Sequence, residues 1–310
     1  MNFQKQVPLK NYSYYKIGGP AKFFVEVSSV GELKEALKQA QDAGEKVFVL
    51  GQGGKVLISD RGFDGLVIHN KIGGIERIGN KLIVGSGLLI KEILDYCIDN
   101  SLSGLQWAGG LPGTIGGAVR GNAGAFGTEM KDCTLEVRSL NMTSLEEVVR
   151  GSKMCAFDYR NSTFKSGEAS NEFITSVILG VEPGNQAEIK AKIQEKIDYR
   201  NLHQPMDLPS LGSTFKNIPV SSLPEKLQKE FAEIVKNDPF PVVLVTKLLS
   251  LGGLKGKRIG DAVISEKQPN FIVNVGNATA ADVKALIDFA KKTIKEKYGI
   301  TIAEEINYLN

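Results

Sequence analysis

The residues best suited to chemistry in this chain are the glycines that crowd the stretch from Gly104 to Gly127. Such a run is costly, because glycine loses more backbone freedom on folding than any other residue. It is favoured where the backbone turns through positive φ, or where a ligand lies against bare N–H groups. A diphosphate is such a ligand, since successive amides form a concave anion site and a helix start adds its dipole.

The residues between these glycines narrow the interpretation. Pro112 fixes one turn, and Thr114 is placed to cap a short helix that begins near Ile115. A low-complexity linker is excluded, because large apolar residues are interleaved at core-like spacing. These residues are Trp107, Leu111, Ile115, Val119 and Phe126. The stretch matches neither the Walker pattern nor a Rossmann fingerprint. We predict a phosphate or dinucleotide cradle, with a purely structural glycine turn as the open alternative.

Another glycine-rich segment, Gly51-Gln52-Gly53-Gly54, comes earlier in the chain and is called the first glycine loop. It follows a short apolar run from Val47 to Leu50. The run predicts a buried strand, and a helix should precede it. Ser29 and Glu32 form a capping-box pair at the expected start of that helix. This places the first glycine loop at the carboxyl end of a strand, where α/β folds usually bind ligands.

The remaining pattern predicts elements that would position these loops. We expect strands over 23–27, 66–68, 135–140, 173–179 and 271–275, a hairpin over 75–84, and helices over 89–100, 189–197, 223–235 and 279–299. Ser222 should cap the 223–235 helix, with Pro224 in its first turn. The apolar pattern over 300–308 predicts a terminal strand that carries Glu304 and Glu305.

Composition excludes several classes of protein. The chain has 310 residues, 42% hydrophobic and 24% charged, with a net charge of +3. This charge is too small to indicate nucleic-acid binding, although it suits an anionic small substrate. Three cysteines and two histidines form no metal-ligand spacing and argue against a disulfide framework or a histidine-based triad. We see no secretory signal and no apolar span, so we expect a cytoplasmic protein.

Ordered motifs through nearly the whole chain resemble the UDP-N-acetylenolpyruvoylglucosamine reductase family, in its shorter form. The motifs are Tyr15-Lys16-Ile17-Gly18-Gly19-Pro20-Ala21, Gly109 to Gly127, Tyr159-Arg160-Asn161-Ser162, Gln204-Pro205, Pro209 to Asn217, Gly253-Leu254-Lys255-Gly256, Ser265-Glu266-Lys267 and Asn270 to Asn274.

The resemblance implies an α+β fold. A two-lobe FAD-binding domain of the vanillyl-alcohol-oxidase (PCMH) type would occupy residues 1–70 and 71–199. A C-terminal α+β substrate-binding domain, residues 200–310, would complete the site. The expected protein is a monomer that binds small molecules and neither nucleic acid nor membrane.

The same resemblance implies an enzyme of peptidoglycan precursor synthesis. FAD would be the cofactor and NADPH the co-substrate, and the substrate would be a UDP-sugar enolpyruvyl ether that is reduced to UDP-N-acetylmuramate. Two alternatives remain, an FAD-dependent oxidase on the same fold and a flavin-binding module without catalysis.

Site residues follow from the family's motifs. Arg160 and Glu305 would stabilise an enolate, and Ser213 would protonate C2 of the substrate. Arg200, Lys216 and Asn217 would bind substrate. The cofactor-binding set would be Gly51, Gln52, Gly53, Gly54, Lys55, Gly109, Gly110, Pro112, Gly113, Thr114, Gly116, Gly117, Asn122 and Gly124. No metal is expected.

Four positions depart from the family's pattern. The first glycine loop usually continues Ser-Asn, whereas this chain has Gly54-Lys55. Gln268 stands where histidine is common, and Ala303 where an acidic residue is common. Because of the change at Ala303, the choice of Glu305 over Glu304 as the functional carboxylate stays open at this point.

Overall fold

The structure is a computed structural model that describes all 310 residues. Its strands in chain order are β1 (Gln4–Pro8), β2 (Pro20–Val27), β3 (Val47–Leu50), β4 (Val56–Ile58), β5 (Phe63–Asn70), β6 (Ile75–Ile78), β7 (Lys81–Gly85), β8 (Leu102–Ser103), β9 (Gly124–Ala125), β10 (Thr128–Glu129), β11 (Thr134–Asn141), β12 (Glu147–Gly151), β13 (Glu172–Gly180), β14 (Glu182–Pro183), β15 (Ser210–Ser213), β16 (Ile218–Pro219), β17 (Val235–Asn237), β18 (Pro241–Val243), β19 (Arg258–Ile259), β20 (Ala262–Ile264), β21 (Phe271–Asn274) and β22 (Asn307–Leu309).

The helices alternate with these strands along the chain. They are α1 (Val30–Asp42), α2 (Ile90–Asp99), α3 (Ile115–Arg120), α4 (Met130–Cys133), α5 (Thr163–Ser166), α6 (Gln186–His203), α7 (Glu225–Glu230), α8 (Val245–Leu251) and α9 (Ala280–Tyr298). The chain divides into two units. The first consists of Met1–Val7, Ala21–Gln52 and Asp64–Tyr199, and the second consists of Pro8–Pro20, Gly53–Phe63 and Arg200–Asn310.

The first unit contains a four-stranded sheet in the order β1-β2-β5-β3. Helix α1 begins as the sequence predicts, because the Ser29 side chain accepts from the Glu32 N–H. The helix buries one stripe, which packs with apolar residues of β2 and β5. The stripe is Leu33, Ala36, Leu37 and Ala40. Strand β3 pairs with β5, so this packing also positions Gly51, which follows β3.

The first unit also contains a five-stranded antiparallel sheet, β12-β11-β13-β7-β6, against which helices α2 and α3 pack. Val84, Val137 and Val177 of this sheet share one buried cluster with Ile93 and Val119 of the helices. The glycine-rich stretch leads into α3, so its path is set by this cluster.

The second unit is built on the antiparallel sheet β15-β21-β20-β19, which shares a buried cluster with α8 and α9. Helix α9 begins with a capping box of Thr279 and Asp282 and ends at Gly299, whose φ is +71°. Strand β22 pairs in parallel with β4. This pairing brings the residues just before each strand close together within the unit.

Two predicted elements are much shorter in the structure than the sequence predicts. The 223–235 helix is only Glu225–Glu230, because Pro224 lies outside it at the N-cap and a tighter turn over Ala232–Ile234 follows. Ser222 does not cap the helix; its hydroxyl donates to the Pro219 carbonyl. The predicted strand over 300–308 shortens to Asn307–Leu309, since Glu304 makes only an isolated bridge to Phe215.

Candidate active site

The glycine-rich stretch turns sharply before α3, as its composition predicts. Gly110 and Gly113 have φ values of +71° and +106°, which side-chain-bearing residues rarely adopt. Thr114 caps α3, since its Oγ1 accepts from the N–H of Gly117 at 3.3 Å. Pro112 is exposed between these turns. The predicted helix start near Ile115 is therefore confirmed.

Several positions accept only glycine, because neighbouring atoms approach the backbone closely. A Cβ on Gly116 would lie 2.9 Å from both Cβ and the carbonyl oxygen of Ser86, and one on Gly109 would meet the carbonyl of Ile193. A Cβ on Gly51 would lie 2.8 Å from Oγ1 of Thr114. The first loop's Gly51 and the cap of α3 thus lie against each other inside the first unit.

The same stretch leaves backbone donors available for an anion. The N–H groups of Gly110 and Gly113 donate to no acceptor in the protein, and a Cβ on Gly113 would meet nothing within 4 Å. Open space beside unpaired amides is what a bound diphosphate requires. The residues present therefore fit the pyrophosphate of a dinucleotide.

The other residues of the predicted cofactor-binding set are divided between the two units. Gly51 and Gln52 belong to the first unit, and Gly53, Gly54 and Lys55 belong to the second. Asn122 is fully buried, where its amide donates to the Asp158 carbonyl and accepts from the Lys131 N–H. Asn122 therefore fastens the glycine-rich stretch to a neighbouring turn.

Arg160 lies on that turn and is held against the glycine-rich stretch. Its Nη2 donates to the Gly124 carbonyl at 2.9 Å, and Nη1 lies 3.4 Å from Oε1 of Glu129. A Cβ on Gly124 would come within 3.1 Å of Nη1 of Arg160, so the glycine makes room for the guanidinium. Arg160 itself has a φ of +54°, a strained value for an arginine that costs about 1–3 kcal/mol. Strain of this kind clusters at functional sites.

In the second unit, the structure brings Ser213 and Glu305 together on adjoining backbone. Residues 214–216 run antiparallel to 303–305, with N–H to carbonyl distances of 2.8 Å from Lys216 to Ala303 and from Glu305 to Thr214. Lys55 joins the two: its Nζ lies 3.1 Å from Oε1 of Glu305 and donates to the Ser213 carbonyl at 2.6 Å.

Glu304 and Glu305 have different partners. Glu304 accepts from Nζ of Lys291 at 2.9 Å and from the Tyr308 hydroxyl at 2.5 Å. Burial and this carboxylate raise the pKa of Tyr308. Only Glu305 shares a contact, through Lys55, with Ser213. The geometry therefore favours Glu305 over Glu304, the choice that the sequence leaves open.

The three predicted substrate-binding residues also belong to the second unit. Lys216 follows Ser213 by three residues and is partly buried. Asn217 uses its Oδ1 to accept from the Val245 N–H at 3.1 Å, so it also supports the start of α8. Arg200 is buried, and burial lowers its pKa to about 10. Arg200 is therefore still charged at neutral pH.

Comparison with known proteins decides the family. Residues 204–309 match the family model of the UDP-N-acetylenolpyruvoylglucosamine reductase C-terminal domain, and residues 21–148 match that of an FAD binding domain. The reductase of Geobacillus kaustophilus is 32% identical over 99% of this chain and 93% of its own length. The reductase of Staphylococcus aureus strain COL is 34% identical over 97% of this chain and 90% of its own.

The chain belongs to the UDP-N-acetylenolpyruvoylglucosamine reductase family. The crystal structure of the Thermus caldophilus reductase is similar in fold, with a TM-score of 0.79, 28% identity and full coverage of both chains. These matches confirm the α+β fold, with an FAD-binding domain and a C-terminal domain. They also confirm the flavin-dependent oxidoreductase expected from the sequence motifs.

The sequence reasoning missed two charged contacts of the candidate site residues. Glu129, whose side chain is 2% exposed, lies against both Arg160 and Nζ of Lys131. Its sequence signal is weak, since it only opens the short helix α4. The ion pair of Lys55 with Glu305 joins residues 250 positions apart, and no local pattern could reveal it.

The cysteines and His69 lie outside the candidate site. Cys97, Cys133 and Cys155 are reduced and buried, and burial raises the pKa of Cys97 and Cys133 to about 12. His69 is buried and contacts Glu26 at 2.8 Å, while burial lowers its pKa. No helix is long and apolar enough to span a membrane.

Proposed function

We propose that this reductase converts UDP-N-acetylglucosamine enolpyruvate to UDP-N-acetylmuramate at the expense of NADPH. The observation that carries the proposal is the match of the chain, over 99% of its residues, to a reductase of this name. The two family models together account for both the flavin and the substrate-binding parts.

FAD is held, in this proposal, by the glycine-rich stretch of the first unit. The unpaired N–H groups of Gly110 and Gly113 would bind its pyrophosphate, and the close packing of Gly116 and Gly51 keeps side chains out of the way. When bound, FAD would supply the hydride-transfer chemistry between NADPH and C3 of the enolpyruvyl group.

Arg160 stabilises the charge that hydride addition creates. Addition at C3 leaves an electron pair that spreads from C2 onto the substrate carboxylate as an enolate. A guanidinium is a permanent cation with several planar donors, which suits two carboxylate oxygens. The contacts to Gly124 and Glu129 hold this side chain in place before substrate arrives, so little reorganisation is needed.

Ser213 donates the proton that C2 then requires. A serine hydroxyl is a weak acid, so its neighbours must favour the transfer. The ammonium of Lys55 donates to the Ser213 carbonyl, and the backbone of Glu305 pairs with the adjoining Thr214, so one charged group lies beside the serine. Overall, one hydride from NADPH and one proton, which Ser213 regains from solvent, add across the double bond, and NADP⁺ and the reduced sugar nucleotide leave.

Cations of the second unit would bind the anionic substrate. Arg200 and Lys216 carry positive charge suited to a diphosphate, and Asn217 adds an amide close to Lys216. A monomeric state and a cytoplasmic location remain predictions, which sedimentation and cell fractionation can check.

The test is NADPH oxidation by the purified, FAD-loaded protein with and without the UDP-sugar enolpyruvyl ether. The proposal expects rapid oxidation that depends on the ether and forms one UDP-N-acetylmuramate per NADPH. Oxidation that consumes oxygen at the same rate without the ether would instead identify an oxidase. Protein that never retains FAD would contradict the flavin assignment.

A further inference from the structure

Lys55 contacts both Ser213 and Glu305, although its position in the first glycine loop gives no hint of this. Its Nζ lies 3.1 Å from the Glu305 carboxylate and 2.6 Å from the Ser213 carbonyl oxygen. We propose that Lys55 is a positioning residue for reduction of the enolpyruvyl group, which holds Glu305 and Ser213 in register and offsets the carboxylate charge. This inference rests on the proposed function, because it assigns Lys55 to the same reaction.

The backbone of Lys55 is fixed where this role requires it. Lys55 immediately precedes β4, which pairs in parallel with β22. The Lys55 carbonyl accepts from the backbone N–H of Asn307 at 2.8 Å and from its side-chain amide at 3.2 Å. Glu305 lies two residues before Asn307, so the pairing brings Lys55 and Glu305 side by side.

A lysine can join these two groups where the family's asparagine would not. An ammonium has three donors on a long side chain, so it can serve a carboxylate and a carbonyl at once. The amide of asparagine is neutral and shorter, and it cannot balance a carboxylate. The departure from the family pattern at Lys55 therefore coincides with a specific pair of contacts in this chain.

The charge balance gives Lys55 a role in the chemistry. Negative charge grows on the substrate carboxylate as the enolate forms, so Glu305 can assist there only where its own negative charge, which would repel the enolate, is offset. With Lys55 at 3.1 Å, the pair has no net charge. The side chain of Lys55 is 37% exposed and that of Glu305 is 14% exposed. Water therefore screens the pair in part, and the positioning effect should outweigh any effect on stability.

The chain contains a closely matched control pair one residue away. Nζ of Lys291 lies 2.9 Å from Glu304, with side-chain exposures of 37% and 17%. Distance and burial thus resemble those of the pair formed by Lys55 and Glu305. The difference is that Lys291 makes no contact with Ser213. Removing the ammonium from each pair separates a role in the reaction from the general effect of breaking an ion pair.

The experiment compares the wild type with Lys55→Met, Lys55→Arg and Lys291→Met as FAD-loaded proteins. Stopped-flow absorbance follows flavin reduction by NADPH and, separately, flavin reoxidation by the enolpyruvyl ether. We expect Lys55→Met to slow only reoxidation by the ether, on the order of 10²-fold, the effect of a misplacement near 1 Å. Lys55→Arg should recover much of the rate, and Lys291→Met should match the wild type. Thermal unfolding of all four proteins shows whether each variant is folded.

The outcomes distinguish the two proposals. A wild type that does not reduce the ether would refute the proposed function, and the inference on Lys55 would fall with it. A competent wild type with an equally fast Lys55→Met variant would refute the inference alone. The inference would also be overturned by equal slowing in Lys55→Met and Lys291→Met, by slowing of both half-reactions, or by no recovery in Lys55→Arg.

Discussion

In the first unit the glycine-rich stretch offers a ligand its backbone amides, whereas in the second unit Ser213, Glu305 and Lys55 offer side chains. The amide donors of Gly110 and Gly113 come from one short, continuous segment. The side chains of the second group come from residues 158 positions apart in the case of Lys55 and Ser213. The first group depends on turn geometry, and the second depends on the pairing of distant strands.

The difference predicts how each part responds to mutation. Changing a side chain in the second group should remove a step of the reaction while leaving the fold intact. Adding a side chain to the glycine-rich stretch should disturb packing and cofactor retention together. The predictions below are ordered by the size of the effect expected.

The largest effect is expected for Ser213→Ala. Loss of a general acid typically slows a reaction by ~10²–10⁴-fold, so reduction of the enolpyruvyl ether should slow by this factor. Flavin reduction by NADPH should proceed at the wild-type rate, as measured by stopped-flow absorbance. Ser222→Ala serves as a control, because its hydroxyl contacts only the Pro219 carbonyl in the same unit. Equal loss of both half-reactions would refute the role of Ser213.

A smaller loss is expected for Arg160→Lys. Lysine keeps the charge but lacks the planar fork, and removing one donor to a developing oxyanion costs about 10²–10³-fold. We expect a loss near the lower figure in the rate of ether reduction, with little change in FAD binding. Arg138→Lys is the control, since Arg138 forms an exposed pair with Glu136 at 3.2 Å. An Arg160→Lys enzyme as fast as the wild type would exclude enolate stabilisation by the guanidinium fork.

The comparison also explains what the sequence predicts and what it misses. The cap of α1 by Ser29 and the cap of α3 by Thr114 are local patterns, and both are confirmed. Only half of the predicted capping box of α1 forms, because the Glu32 carboxylate accepts from the N–H of Ser28 instead of that of Ser29. The predicted helix over 223–235 fails where Pro224 and a tight turn compete with helix propensity. In the terminal segment, apolar alternation cannot show that Glu304 and Glu305 bridge to Phe215 and its neighbours instead of forming a long strand.

The candidate site divides in the same way. Composition alone indicates a phosphate cradle, because glycines without side chains act through the local backbone. The roles of Ser213 and Glu305 come from resemblance to a family. Their contact through Lys55 depends on the parallel pairing of β4 with β22, a long-range event that no local pattern encodes.

A moderate loss of stability is expected for Gly116→Ala. Its Cβ would lie 2.9 Å from Ser86, and overpacking of a buried site costs about 1–3 kcal/mol. The free energy of unfolding should fall by this amount, and FAD retention should weaken. Gly117→Ala is the matched change, because the nearest atom to its Cβ lies at 3.4 Å, and alanine is favoured over glycine in a helix by roughly 0.5–1 kcal/mol. Equal effects of the two changes would contradict the packing argument.

The smallest effect distinguishes the two units most sharply. Thr114→Ala removes the cap of α3, and Thr279→Ala removes the cap of α9, and each loss should cost about 1 kcal/mol of unfolding free energy. The two variants should therefore be similarly destabilised in denaturant titrations. Only Thr114→Ala should also weaken FAD retention, since Thr114 orders the turn that contains Gly113, and Thr114→Ser should restore it. Equal FAD retention in the two variants would mean that the flavin does not depend on the geometry of that turn.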